Sequence, residues 1–129
     1  MFYGIFMRSL WPIEREVLEI TAREYPASTD VLRLQIDNAQ VVRFENSGAG
    51  FFCYLKVATE TPLLKEKSPL DGAYGNVLGV EHGMGFIVFL ENGRLSLIEG
   101  YCNGNVSTVG FDFEKVTFDL KSWGSKNQM

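Results

Sequence analysis

The sequence predicts an α+β fold, with one N-terminal amphipathic helix packed on a curved, mainly antiparallel sheet of about 6–7 strands. Three observations carry this expectation. Apolar residues recur at helical spacing once, between Pro12 and Tyr25. From residue 31 onward the period falls to two, and Gly, Asn, Asp and Pro punctuate the chain. Two strongly apolar runs flank Asn92-Gly93, a dipeptide that accepts the positive φ angles of a tight hairpin turn. With 129 residues, 46% of them hydrophobic and 13% aromatic, the chain can bury one core unaided, so a single domain over 1–129 is expected.

In the helix, Ile13, Val17 and Ile20 form the apolar stripe with Leu10 and Leu18 beside it, while Glu14, Arg15, Glu16, Glu19 and Arg23 are expected to face water. Ser9 is the expected cap. Pro12 suits the first turn, where its missing N–H costs nothing, and Pro26 marks the stop. Glu19 and Arg23 stand in the favourable i,i+4 order.

The expected strands are 31–36, 40–45, 50–58, 76–82, 86–91 and 94–101, with 108–113 and 115–120 as weaker candidates. Asn46-Ser-Gly-Ala49 suits a hairpin between the second and third. In Gly50–Val57, Phe51, Cys53, Leu55 and Val57 share one face and Phe52, Tyr54 and Lys56 the other. Thr59–Gly75, with two prolines and a charged middle, reads as a long loop, a kind of segment often used for function. A two-residue turn at Asn92-Gly93 pairs Glu91 with Arg94, Leu90 with Leu95, Phe89 with Ser96, Val88 with Leu97, Ile87 with Ile98 and Phe86 with Glu99. Both faces of this hairpin are then apolar, which predicts a central hairpin covered on both sides and sets Glu99 on the greasier face. A carboxylate there needs donors or a cation.

Sixteen acidic against twelve basic residues give a net charge of −4, which argues against nucleic acid and against anionic membranes as partners. Between Ser68 and Glu114 the acids are Asp71, Glu81, Glu91, Glu99, Asp112 and Glu114, with Arg94 the only base. Such a stretch is either a solvated face or a surface for a basic protein partner. No run approaches 18 apolar residues, and the first eight residues lack the basic region and small-residue site of a signal peptide, so a cytoplasmic location is expected. Cys53 and Cys102 are then expected as free thiols. One histidine and two distant cysteines offer no metal-ligand grouping, and no phosphate or dinucleotide fingerprint suggests a cofactor.

Gly75–Gly85 holds the only histidine, in Glu81-His82-Gly83, where Gly79, Gly83 and Gly85 allow a sharp bend that could turn Glu81 and His82 the same way. Around these residues the chain resembles a group of small uncharacterised bacterial proteins, through Gly48-Ala-Gly-Phe-Phe52, Glu81-His-Gly-Met-Gly-Phe86, Asn92-Gly-Arg-Leu95 and Leu95-Ser-Leu-Ile-Glu-Gly-Tyr101. The resemblance spans about residues 43–105, departs at Ile98 and at Cys102-Asn-Gly104, and implies no activity or mechanism. The leading expectation is a noncatalytic protein-interaction domain, an immunity protein being one instance, with Asp71, Tyr74, Glu81, His82, Glu99 and Tyr101 as candidate binding residues. The alternatives are a small-ligand module or a hydrolase, with Glu81, His82, Glu99 and Tyr101 as candidate catalytic groups, or an oligomerising role. Cys53 or Cys102 acting with His82 is a further nucleophile pairing.

Overall fold

A computed structural model describes residues 7–124. Helix α1 (Pro12–Glu24) and a short 3-10 turn (Pro26–Ser28) lead into α2 (Thr29–Asp37). The strands are β1 (Ala39–Asn46), β2 (Gly50–Val57), β3 (Leu70–Val77), β4 (Val80–Glu91), β5 (Arg94–Cys102) and β6 (Phe118–Ser122). They form one open antiparallel sheet in the order β1-β2-β5-β4-β3-β6. Both helices lie on the same side of it, α1 across β3, β6 and β4, and α2 against β5.

Burial follows this single covering layer. Ile13, Val17, Leu18 and Ile20 are fully or almost fully buried, as are Phe51, Cys53, Phe86, Val88 and Ile98 on the inner face of the sheet. Each large apolar side chain buried this way contributes about 1.5–3 kcal/mol. Phe113, from the segment after β5, closes one end of the layer against Phe44 and Phe51.

Residues 31–36 form helix rather than strand. Leu32, Leu34 and Ile36 alternate, but the residues buried are Leu32, Gln35 and Ile36, which is helical spacing. Packing against α1 decides between the two periods and leaves Leu34 exposed. Gln35 then serves as a surrogate strand. Beyond Tyr54 and Leu97 the β2–β5 ladder ends, and Gln35 accepts from the Leu95 N–H (2.9 Å) and donates to the carbonyls of Pro62 (2.8 Å) and Gly93 (3.0 Å).

The start of α1 also departs from expectation. Trp11, not Ser9, is the N-cap, and Glu14 is buried because its carboxylate accepts the Trp11 N–H and both ends of the Arg8 guanidinium at 2.8–2.9 Å. Arg8 itself stacks 3.5 Å from the Trp11 ring. Glu19 pairs with Arg15 and Arg33 rather than Arg23.

Two further segments change class. The expected loop 59–75 gives up residues 70–75 to β3, which reaches Val77, and the expected strand 76–82 is broken by a turn at Leu78-Gly79. Gly79 takes φ +96° there, directly over the Phe111 ring. Residues 108–113 form turns, and the last strand is 118–122.

The hairpin turn falls at Asn92-Gly93 as expected, with φ 53° and 79°. Its register holds for Glu91/Arg94 and Leu90/Leu95 and then slips by one: Phe89 faces Leu97, Val88 faces Ile98, Ile87 faces Glu99 and Phe86 faces Gly100. Ser96 is the unpaired residue of a bulge. The slip places Leu95 and Ile98 on the buried face and turns Glu99 outward, the arrangement that avoids burying a carboxylate. The hairpin is central, but among the described residues only its inner face is covered by helix: Ile87, Phe89 and Leu97 remain half-exposed.

Two stability measurements test this account. Gln35→Ala strands a buried N–H and a carbonyl and should cost about 2–4 kcal/mol in urea unfolding; a cost below about 1 kcal/mol contradicts the surrogate-strand role. Deleting Ser96 removes the residue without a partner, so the fold should persist with a loss under about 2 kcal/mol. A regular hairpin would instead invert every side chain beyond residue 96 and unfold.

Candidate functional site

The outer face of the sheet is built row by row from the pairing register, because residues directly opposite each other on neighbouring strands point the same way. One row runs Glu45, Phe52, Glu99, Ile87, Asp71. The row on one side is Arg43, Tyr54, Leu97, Phe89, and the row on the other is Gly50, Tyr101, Gly85, Tyr74, Lys121. Three carboxylates therefore share one line across the sheet, each about 9–10 Å from the next, since one apolar strand lies between neighbours. Aromatic rows border it.

Each side chain has a local reason for its place. Gly85 is required beneath Tyr101, because a Cβ there would come 2.3 Å from the phenol ring and hydroxyl; the ring thus lies across β4 toward Tyr74. Tyr74 stacks on Trp123 with ring centroids 4.6 Å apart, and the two remain 39% and 43% exposed. Arg43 sits 5.2 Å over the Tyr54 ring and pairs with Glu45 at 2.6 Å. Asp71 is anchored through its backbone N–H, which donates to the Tyr25 hydroxyl (2.7 Å) at a point where β6 no longer pairs with β3. Burial pushes the Tyr25 phenol up from its ordinary value, which keeps it protonated.

Glu99 differs from the other two carboxylates. It is half-buried, with Phe52 and Ile87 as cross-strand neighbours and Leu97 and Tyr101 beside it on the same face. Among the described residues it makes no ion pair and no side-chain hydrogen bond.

Of the six residues singled out from the sequence, Asp71, Tyr74, Glu99 and Tyr101 come together on this face. Glu81 and His82 do not. His82 precedes the residue opposite Glu99 by five positions along β4, which is about 16 Å. The bend at Gly83 (φ 75°) does bring Glu81 and His82 within 3.8 Å of each other, but their side chains are 80% and 59% exposed. The His82 ring packs over Gly104, and the His82 carbonyl accepts from the Asn103 side chain.

The residues missed were Arg43, Glu45, Phe52, Tyr54 and Trp123. The alternation in β2 does separate Phe52 and Tyr54 from Phe51 and Cys53, but alternation alone cannot say which face a helix will cover. The acidic stretch of the sequence is scattered: Asp71 and Glu99 reach the outer face, Glu91 the hairpin tip, and Glu81, Asp112 and Glu114 the opposite end.

Neither cysteine fits nucleophilic work. Cys53 is fully buried, and burial together with the Glu14 carboxylate pushes its thiol far above the ordinary range. Burial also raises Cys102. Both are free. Four residues of β5 separate Cys102 from the residue opposite Cys53, about 13 Å, beyond disulfide reach. Among the described residues no three His, Cys, Asp or Glu side chains are grouped to hold a metal ion, and no helix is long and apolar enough to cross a membrane. The Gly85→Ala variant should displace Tyr101 from β4 at a cost of about 1–3 kcal/mol. The check is loss of nuclear Overhauser contacts between the Tyr101 ring and the backbone of residue 85.

No protein-family model, no curated protein and no solved structure matches this chain, so the functional reading rests on the geometry of the outer face itself.

Proposed function

We propose that this chain is a noncatalytic protein-interaction domain that receives a basic protein on the outer face of its sheet, with Glu99 accepting a lysine or arginine of the partner. Neutralising a toxin, as immunity proteins do, is one use such a face would serve. The observation that carries the reading is the unpaired, half-buried Glu99 within a surround of Phe52, Ile87, Leu97 and Tyr101. Opposite charges about 4 Å apart near a protein surface attract by about 4 kcal/mol, and water exclusion by the aromatic rim strengthens the pair. Asp71, on the same row, adds to the negative field that steers a cationic approach, while Glu45 is held in its ion pair with Arg43. Tyr and Trp are the residues that interface centres favour, because they combine large area with few rotatable bonds.

The same face supports binding better than catalysis. A hydrolytic site built from Glu81, His82 and Glu99 would need these groups within hydrogen-bond reach, and about 16 Å separates His82 from the Glu99 position.

A photo-crosslinking amino acid at Leu97, expressed in the native host, tests the reading. It should capture a basic protein in a salt-sensitive manner. The captured protein, purified, should bind Glu99→Arg at least about 30-fold more weakly and the distant control Glu81→Arg within about twofold of the unmodified chain. Equal binding by both variants, or capture of acidic proteins only, would sink it.

A further inference from the structure

We infer that β6 is a dimerisation edge: two copies of this chain pair their β6 strands antiparallel about Leu120 and join their sheets into one. The inference rests on the edge of the sheet and does not depend on the reading of its outer face. β6 ends the strand order and pairs with β3 alone. The opposite edge is guarded. There β1 carries a register shift between Val41 and Arg43, and Arg8 bonds Val41 through both backbone groups, at 3.0 and 2.9 Å. β6 has no bulge and no proline, and among the described residues no segment bonds along its outer side.

Hydrogen bonding along β6 fixes which of its backbone groups point away from the sheet. The Leu78 N–H donates to the Thr117 carbonyl at 2.9 Å, and the register continues through Asn76 with Asp119 and Tyr74 with Lys121. Antiparallel strands bond through alternate residues, so Thr117, Asp119 and Lys121 bond to β3, while Phe118, Leu120 and Ser122 turn their N–H and C=O groups outward. A second β6 centred on Leu120 matches this spacing. It sets Leu120 opposite Leu120 on the helix-covered face and Phe118 opposite Ser122 of the second copy, and every outward donor meets an outward acceptor.

The side chains select this occupant and this register. Asp119 and Lys121 are exposed and, among the described residues, make no ion pair. Pairing about Leu120 places each Asp119 directly opposite Lys121 of the other copy, so the symmetry makes two cross-strand ion pairs at once. Moving the centre to Asp119 or to Lys121 opposes like charges, and so does a parallel in-register arrangement. A short edge buries little area on its own, and an apolar groove beside it adds to the contact. The groove holds about 380 Å³, lined in part by Leu78, Thr117 and Phe118, with Leu78 largely exposed. One position past the strand, the same symmetry sets the exposed Trp123 of the second copy opposite Thr117, at the mouth of this groove.

Sedimentation of the purified chain over a range of concentrations should show the mass rising from one chain toward two. In the dimer, the amide hydrogens of Phe118, Leu120 and Ser122 should exchange at least about tenfold more slowly, while those of Asp119 and Lys121, already bonded to β3, change little. Lys121→Asp and Asp119→Lys, both at exposed positions, should each keep the fold and weaken self-association at least about tenfold. Mixed together, the two variants should form a heterodimer as tight as the unmodified dimer, because each supplies the charges that the other lacks. A chain that stays monomeric throughout overturns the inference. So does a dimer that leaves the three outward amides unprotected, or one that neither charge reversal weakens. Failure of the mixed variants to associate overturns the register centred on Leu120.

Discussion

The structure depends on one constraint: six strands and only enough helix to cover one face of them. An antiparallel sheet tolerates this, because alternate residues can be sent to water. Every strand must then agree on which face is buried, and β5 is where agreement is hardest. Its sequence, Leu95-Ser-Leu-Ile-Glu, cannot put both Leu95 and Ile98 inside while keeping strict alternation. The bulge at Ser96 resolves the conflict. It buries Leu95 and Ile98 and turns Glu99 to the outside, where a carboxylate can be solvated or paired.

Polar side chains hold the layers in place where the sheet runs out of partners. Gln35 reaches from α2 to the end of β5 and supplies the acceptor that β2 has ceased to offer. Tyr25 does the same from the end of α1 for the Asp71 N–H, at a stretch of β3 that β6 does not pair with. Glu14 ties the chain before α1 to the helix start by taking both ends of the Arg8 guanidinium. Each of these groups is buried or half-buried, and each would be expensive if its partner were lost.

The outer face carries Glu99 among Phe52, Leu97, Ile87 and Tyr101, with Arg43 and Lys121 on the flanking rows and Arg43 paired with Glu45. Strands β2 and β5 supply most of this set, because they pair from Gly50 and Tyr101 to Tyr54 and Leu97 and turn Phe52, Tyr54, Leu97 and Glu99 outward together.

The sequence by itself determined the fold class, the first helix, the β1–β2 hairpin and the turn at Asn92-Gly93, because these rest on local causes: a 3.6-residue apolar stripe, proline and glycine preferences, and a dipeptide that tolerates positive φ. Of the six residues it singled out, Asp71, Tyr74, Glu99 and Tyr101 share the outer face, and Glu81 and His82 lie away from it. Only the tertiary structure decided that residues 29–37 are helical, since the segment offers Leu32, Leu34 and Ile36 at strand spacing and Leu32, Gln35 and Ile36 at helical spacing until α1 provides a surface to pack on. Only it decided that Glu99 faces out, since the β5 sequence is apolar at Leu95, Leu97 and Ile98 alike and the helices above the sheet select Leu95 and Ile98 for burial. The same holds for the company of Phe52, Tyr54 and Trp123, and for the distance of His82 from Glu99: which strands become neighbours is settled by burial of the whole inner face, a sum over residues far apart in the chain.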